Sequence, residues 1–253
     1  MGLAYSTNEL MAVTASRRLD NDKTIFVGLG LPQIASRLAK ATHAPDMNII
    51  MEVGVYNPEP LPGVGLADPR LWYRSEYFTG LVGTLGEMLQ NGRVDIGFLG
   101  TLEIDRYGNL NSTQVDSESG LTHFTGSGGA ADIASLAKSV FVIMKHEKRK
   151  MIEKVSYITS VGSYKGGKSC AEAGLRPSAG VTVFTNLCVL ETNLATGELE
   201  VKSIHPGVTM ETLRENTGYE LTVPKDLPVT AEPTEEELVL LREHIDPQKM
   251  YIK

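Results

Sequence analysis

The sequence of 253 residues contains only two cysteines, Cys170 and Cys188, which form no CxxC pair and no metal-ligand spacing. We therefore expect neither a disulfide framework nor a zinc site, and a reducing cytoplasm is the predicted location. No uninterrupted apolar run approaches about 18 residues, so we expect no transmembrane helix. The N-terminus carries Glu9 and no basic head before an apolar run, unlike a signal peptide.

Positive charge is in the minority, with 24 Lys and Arg against 31 Asp and Glu and a net charge of −7. Such a chain binds nucleic acid or an anionic membrane poorly, and we expect neither partner. Hydrophobic residues make up 42% and charged residues 22%. This balance excludes disordered, collagen-like and coiled-coil chains. Because there is no repeat or low-complexity linker, we predict a single domain over residues 1–253.

Short apolar runs alternate with helical patterns along the chain. Ser6 with Glu9, and Thr234 with Glu237, have the spacing of helix capping boxes. Predicted strands cover residues 24–27, 48–53, 94–99, 140–144, 155–159, 181–190 and 199–204, and predicted helices lie near 7–19, 32–39, 84–91, 130–138, 209–216 and 234–244. A long loop rich in Pro and Gly is predicted over 56–69. The alternation predicts an α/β fold with an open, mainly parallel sheet and helices on both faces.

Two glycines, Gly28 and Gly30, follow the first predicted strand. They do not complete a dinucleotide fingerprint, because Gln33 stands at the position of its third glycine. A tight strand-to-helix turn is one interpretation. The other is a ligand that approaches the backbone at a helix N-terminus, where N–H groups favour anions.

Glu52 follows the apolar run 48–51 and is followed two residues later by Gly54. The carboxyl end of a parallel strand is where α/β folds bind ligands, which makes this carboxylate a candidate catalytic group. A strand-end glutamate that only reaches solvent is the alternative.

A second glycine-rich segment is TGSGG, which includes Gly126, Ser127, Gly128 and Gly129. Its successive backbone N–H groups suit the binding of an anion or an oxyanion, although an ordinary flexible loop has the same composition. Ser127 does not stand in a G-x-S-x-G elbow, so we do not expect it to be a nucleophile.

A basic cluster, KHEKRK, covers residues 145–150. It could meet the phosphates of a nucleotide-like ligand, and a solvated turn is the alternative. The five histidines show no metal-ligand spacing, so we expect each to be structural.

These motifs, in their order and spacing, resemble the β (B) subunit of the family I CoA-transferases, of the glutaconate CoA-transferase type. The matching segments are GLGLPQIASRLAKATHAPD, NIIMEVG, IDRYGNLNST, FTGSGGAADIA, MKHEKRKMIEKVSYITS, ENTGYEL and REHIDP. The resemblance implies an open α/β fold and, as partner, the CoA-transferase α (A) subunit, which has a related fold. It further implies an α2β2 heterotetramer whose active site lies at the contact of the two kinds of subunit.

The resemblance also implies an activity, transfer of CoA from an acyl-CoA to a carboxylic acid, with CoA as a substrate and no other cofactor or metal. It places the nucleophile at Glu52, which would carry a glutamyl-CoA thioester in a ping-pong reaction. The resemblance also implies that Gly128 and Gly129 bind the oxyanion. The residues expected to contact substrate or CoA are Gly28, Gly30, Gly54, Gly126 and Ser127.

One departure from the family pattern is Val53, where many members carry Ser or Asn. The residue next to the nucleophile therefore offers no polar side chain. Two alternatives stay open: a hydrolase, ring-cleaving enzyme or decarboxylase of the same fold, and a non-catalytic subunit that completes a partner's site.

Overall fold

The structure, a computed structural model, describes residues 4–59, 68–117, 120–176 and 180–252. The chain divides into two units, Met1–Phe98 together with Ala231–Lys253, and Leu99–Thr230. Each unit combines strands and helices, and the predicted α/β fold is confirmed. The prediction of a single domain over 1–253 stays a prediction.

Strands and helices alternate over most of the described chain. The strands are β1 Thr24–Phe26, β2 Asn48–Met51, β3 Val55–Tyr56, β4 Tyr77–Phe78, β5 Ile96–Leu99, β6 Glu103–Asp105, β7 Leu110–Asn111, β8 Gln114–Ser117, β9 Gly120–His123, β10 Ser139–Met144, β11 Met151–Ile152, β12 Val181–Thr185, β13 Cys188–Thr192 and β14 Leu199–Ile204. The helices are α1 Thr7–Ser16, α2 Leu31–Ala41, α3 Pro69–Tyr73, α4 Ala130–Leu136, α5 Ser169–Glu172, α6 Met210–Glu215 and α7 Glu235–Val239, with π-helices at Val82–Leu89 and Leu240–Ile245.

In the first unit the sheet is built around β1. This strand pairs in parallel with β2, where Ile25 lies opposite Ile49, and with β5, where Ile25 lies opposite Ile96. β2 pairs antiparallel with β3, and β3 with β4. Because β1 and β2 run in the same direction, the loops that follow them start at the same edge of the sheet.

Two helices of the first unit, α1 and α7, begin at the predicted caps. The Glu9 N–H donates to Ser6 Oγ at 3.3 Å, and the Ser6 N–H donates to a Glu9 carboxylate oxygen at 2.7 Å. Thr234 and Glu237 form the second capping box. The apolar sides of α1, α2 and the C-terminal segment pack in one cluster, which contains Ala12, Val13, Ile34, Leu38, Leu241, Ile245 and Ile252. None of the described helices is long and apolar enough to cross a membrane.

In the second unit β10 pairs in parallel with β12, and β12, β13 and β14 follow in antiparallel order. The prediction of one strand over 181–190 is wrong, because the chain reverses between β12 and β13. The hydroxyl oxygen of Thr185 accepts the N–H groups of Leu187 and Cys188 at 3.1 and 3.0 Å. These bonds to a side chain end the strand and start the hairpin.

The predicted strand over 155–159 is also wrong. The N–H of Ser156 donates at 3.1 Å to the carboxylate of buried Glu103. This backbone group is therefore bonded to a side chain and not to a neighbouring strand. The strand forms earlier, as β11, and pairs in parallel with β6. The hairpin of β8 and β9 was not predicted.

Two further differences lie in the part of the chain between Glu52 and β5. The helix predicted near 84–91 is a π-helix, Val82–Leu89. The long loop predicted over 56–69 includes residues 60–67, which lie outside the described residues. At the end of this predicted loop, α3 begins at Pro69. Asp68 caps α3 by accepting the N–H of Arg70 at 2.9 Å.

Candidate active site

Glu52 lies in the turn of a hairpin. β2 ends at Met51, and residues 52–54 reverse the chain into β3, so that Met51 pairs with Val55. The N–H of Gly54 donates to the Met51 carbonyl at 2.9 Å and closes the turn. The half-buried Glu52 therefore comes directly after a buried strand, at the carboxyl end of the parallel pair β1 and β2. This is the position at which α/β folds place ligand-binding groups.

Gly54 is fixed by a close approach of Thr79. Its φ of +95° lies in the left-handed region that favours glycine. A Cβ at this position would lie 1.9 Å from the Thr79 carbonyl oxygen, and the Thr79 N–H donates to the Gly54 carbonyl at 2.7 Å. Only glycine fits here, since a side chain would separate the two backbones. The predicted contact of Gly54 with substrate stays a prediction.

The π-helix Val82–Leu89 supports the same turn. The hydroxyl of buried Thr84 donates to the Glu52 carbonyl at 3.1 Å, with the carbonyls of Gly80 and Leu81 at 3.4 and 3.2 Å. One hydroxyl hydrogen is thus shared among three acceptors, of which Glu52 is the nearest. A Cβ on Gly83 would lie 2.3 Å from the Thr79 hydroxyl oxygen, so the start of this helix packs tightly on the segment that holds Gly54.

The loop after β1 lies beside the Glu52 turn. Leu29, between Gly28 and Gly30, packs on the same apolar cluster as Val53. The buried members of this cluster are Met51, Val55 and Leu71. Gly30 has a φ of +96° and precedes α2, whereas a Cβ on Gly28 would meet nothing within 4 Å. The structure therefore brings the loop and Glu52 together, and gives a conformational reason for Gly30.

In the second unit, a glycine-rich turn leads from β9 into α4. The N–H of Gly126 donates to the Ser112 carbonyl at 3.2 Å, and the Gly126 carbonyl accepts the Ser112 hydroxyl at 2.9 Å. Gly126 and Gly128 have φ values of +84° and +49°, and Gly129 is the N-cap of α4. Ser127 is exposed, and its carbonyl accepts an N–H of α4.

This turn has the left-handed backbone residues that let successive N–H groups point to one side. Glu52 belongs to the first unit and the turn to the second. Their participation in one site stays a prediction.

The described histidines and carboxylates do not form a metal centre: among these residues, no group of three or more His, Cys, Asp or Glu could hold a metal ion. His146, from the basic cluster, is buried, with Nδ1 3.2 Å from the Thr185 hydroxyl and Nε2 2.9 Å from the Thr217 hydroxyl. Burial lowers the pKa of His146 to about 4, so the ring is neutral at neutral pH. The prediction of a structural role is confirmed for this histidine.

Comparison with known proteins identifies the family. The coenzyme A transferase family model matches residues 8–216. The sequence is 40% identical to the B subunit of 3-oxoadipate CoA-transferase from Pseudomonas knackmussii over 242 residues, 94% of this chain and 93% of the relative. The chain belongs to the coenzyme A transferase family.

Two further comparisons agree with this family assignment. This chain is 34% identical to the B subunit of glutaconate CoA-transferase from Acidaminococcus fermentans over 258 residues, which cover 98% of this chain and 96% of the relative. The crystal structure of glutaconate CoA-transferase from A. fermentans matches with a TM-score of 0.90 and 32% identity, covering 98% of both chains. The family resemblance seen in the sequence motifs is confirmed.

Sequence reasoning missed two residues of this candidate site, Thr79 and Thr84. Neither carries catalytic chemistry of its own, and both lie far from Glu52 along the chain. The signal that could have found them is the segment TGLVGT, residues 79–84. Its two glycines indicate close packing against another backbone, and its threonines can bond to backbone groups.

Proposed function

We propose that this chain is the β subunit of an acyl-CoA:carboxylate CoA-transferase in which Glu52 is the covalent carrier of CoA. The observation that carries the proposal is the position of Glu52 in a CoA-transferase chain. It is a half-buried carboxylate at the end of a buried strand, in a turn fixed by Gly54, Thr79 and Thr84. A fixed backbone limits the orientations open to a nucleophile, which is a large part of the rate of such reactions.

The first half-reaction takes CoA from the donor. A carboxylate oxygen of Glu52 attacks the thioester carbonyl, a C–O bond forms, and the C–S bond breaks to release CoA thiolate and leave an acyl–glutamyl anhydride. The thiolate then attacks the Glu52 carbonyl carbon of the anhydride. A new C–S bond forms, the C–O bond to that carbon breaks, and the first carboxylic acid leaves as its anion. The product is glutamyl-CoA on Glu52.

The second half-reaction repeats these steps in reverse order with the incoming acid. Its carboxylate attacks the glutamyl-CoA carbonyl and expels CoA thiolate, which gives a second anhydride. The thiolate attacks the acyl carbon of the incoming acid, forms the new acyl-CoA and releases the Glu52 carboxylate. No proton or water is consumed and no atom changes its oxidation state, so the steps balance without a redox cofactor. CoA itself enters as a substrate.

Each attack creates an oxyanion that needs hydrogen-bond donors. We assign this role to the backbone N–H groups of Gly128 and Gly129, supported by the left-handed turn in which they stand. Loss of one such donor typically raises the barrier by roughly 3 kcal/mol. Contacts with CoA or the acid fall to Gly28, Gly30 and Gly54 beside Glu52, and to Gly126 and Ser127 in the glycine-rich turn.

The proposal includes a partner. The relatives named above are B subunits, which supports a partner α subunit for this chain and an active site at the contact of the two. An α2β2 assembly follows from the family resemblance, and light scattering of the co-purified subunits would measure its mass. The proposed location is the cytoplasm, as the low cysteine content suggests.

The proposed substrates are dicarboxylic acids and their CoA thioesters. The two relatives are named for 3-oxoadipate and glutaconate, which both carry two carboxyl groups. A panel of CoA donors with dicarboxylic, monocarboxylic and aromatic acids as acceptors would test this choice. Faster transfer to monocarboxylic or aromatic acids would overturn it.

The decisive experiment traps the intermediate. The chain with its α subunit is mixed with acyl-CoA and no acceptor acid, and intact mass and peptide mapping are recorded before and after borohydride. We expect a CoA-sized adduct on the peptide that contains Glu52, and none in Glu52→Ala. Steady consumption of acyl-CoA without an acceptor and without an adduct would indicate a hydrolase instead. Full turnover in Glu52→Ala would indicate a non-catalytic subunit.

A further inference from the structure

The guanidinium of Arg37 is a half-buried charge that the reaction proposed for Glu52 does not use. Arg37 lies on α2, and its Nη2 atom is buried with no hydrogen-bond partner among the residues that the structure describes. Burial lowers the pKa of this guanidinium, and the nearby Tyr251 partly opposes the shift. Tyr251 is a phenol rather than a carboxylate, and an arginine stays charged at neutral pH. A charge that is partly removed from water in this way is stabilised when an opposite charge accompanies it.

Arg37 lines a small cavity. Its polar wall is one face of α2, since Gln33 and Arg37 are four residues apart and lie on the same side of the helix. The opposite wall is apolar and comes from the strands, with Val27, Ile49 and Met51. The cavity measures about 10 Å³ of space for the centre of a water-sized sphere, which is room for one occupant of that size.

The polar groups around the cavity favour an anion over water. The Ser36 hydroxyl, which also lines the cavity, donates to the Pro32 carbonyl at 2.8 Å, so its hydrogen is in use. Arg37 and the amide of buried Gln33 supply N–H donors. Water would satisfy a hydrogen bond of the guanidinium but not its charge. Hydrogen bonds from a charged donor to a charged acceptor are about twice as strong as neutral ones.

We propose that the cavity between α2 and the ends of β1 and β2 binds one small inorganic anion of the size of chloride, held by Arg37 and the Gln33 amide. The apolar wall suits a weakly hydrated monatomic anion better than a large, strongly hydrated one. Binding couples the helix to β2, the strand that leads into the Glu52 turn. The site is independent of the reaction proposed for Glu52, because it requires no acyl-CoA and no acid.

The test measures thermal unfolding of the full chain while sodium methanesulfonate is replaced by sodium chloride at constant ionic strength. An anion that binds only the folded state raises Tm, by about 3–5 °C when chloride reaches about ten times its dissociation constant. We expect this rise in the wild type and in Arg93→Met, which removes an exposed arginine of the same unit. We expect no rise in Arg37→Met.

A second measurement places the ion directly and needs no variant. Crystals of the wild-type chain, with its α subunit if the two crystallise together, are grown in sodium bromide. We expect an anomalous bromine peak within hydrogen-bonding distance of Arg37 Nη2. A rise in Tm that persists in Arg37→Met, no rise in the wild type, or an ordered water without anomalous signal at this position would each overturn the proposal. If Arg37→Met does not fold, the bromide map decides alone.

Discussion

The hydroxyl of Thr84 holds the backbone carbonyl of Glu52 at 3.1 Å from within a π-helix. π-Helices are rare and often occur at functional sites. The helix begins just after Thr79, which contacts Gly54, so the single segment 79–84 contacts a three-residue turn that is distant from it in sequence. The bond acts on the main chain of Glu52, which makes Thr84 a positioning residue in the proposed reaction.

Thr84→Val removes the hydroxyl with little change in volume. Loss of a hydrogen bond worth about 1 kcal/mol should lower kcat roughly 5- to 10-fold, with KM nearly unchanged. Thr84→Ser keeps the hydroxyl and should retain most of kcat. Steady-state kinetics with the α subunit present, alongside thermal unfolding, provide the check. Equal kcat values in the Val and Ser variants would show that the hydroxyl does not position Glu52.

Gly54→Ala should disrupt the turn. The new Cβ would lie 1.9 Å from the Thr79 carbonyl oxygen at a φ of +95°, so the folded state should lose about 2 kcal/mol or more. Activity should fall with it, because Glu52 stands in the same turn. Gly80→Ala is the matched control, since a Cβ there meets nothing within 4 Å. Denaturant unfolding of both variants tests this, and equal losses of stability would contradict it.

Glu52→Asp keeps the charge but withdraws the carboxylate by one methylene. A displacement of about 1 Å can cost on the order of 100-fold in rate, so most CoA transfer should be lost. Glu52→Gln should be nearly inactive when freshly prepared, because a neutral amide is a poor nucleophile. Glu87→Asp, at an exposed carboxylate of the same unit, should leave the rate unchanged. Initial rates of CoA transfer distinguish these cases, and wild-type rates in Glu52→Asp would contradict the role of this carboxylate.

The stability of the folded chain should fall in acid because of His146. Its pKa is about 4 when folded, against about 6.5 when unfolded, so below pH 6.5 the unfolded chain binds the proton first. Stability is therefore lost as the pH falls from about 6.5 towards 4, by about 2 kcal/mol between pH 7.5 and pH 5 from this group. Cys188 Sγ lies 3.7 Å from His146 Nδ1, and burial raises the pKa of that thiol to about 12, so it stays uncharged.

His146→Gln should flatten this acid limb, whereas His244→Gln, at an exposed histidine, should not. Burial also lowers the pKa of His205, so part of the limb should remain in His146→Gln. Urea unfolding at several pH values measures the effect. An unchanged slope in His146→Gln would contradict the assignment.

The elements that the sequence predicts best are those with a local signal. The capping boxes at Ser6 and Thr234 start helices where expected, and the apolar runs before Gly28 and Glu52 form parallel neighbours. The segment 181–190 reads as one strand, because its apolar composition does not show that the Thr185 side chain would capture two backbone N–H groups. A bond from a side chain to nearby backbone can therefore end a strand without changing the apolar pattern of the segment.

For the candidate site, the sequence indicated the residues that could react or bind a ligand, but not the residues that position them. Residue type and position pointed to Glu52 and to the glycines that follow β1, and their roles stay predictions. In the structure Leu29, which stands between those glycines, packs on the same cluster as Val53. Thr79 and Thr84 depend on contacts across roughly 30 residues of chain, and their role appears only when the two backbones are seen together. In the sequence, Val53 was noted only because it offers no polar side chain. In the structure its side chain packs on the same apolar cluster as Leu29.

The π-helix Val82–Leu89 restricts where residues can be inserted or deleted in this chain. Removing one residue within the π-helix Val82–Leu89 would rotate every helical residue beyond the deletion around the helix axis. A deletion before position 84 would therefore turn the threonine hydroxyl away from its acceptor, whereas a substitution on the exposed side, such as at Glu87, leaves the register intact. Insertions and deletions, more than point changes, should be counter-selected in this stretch.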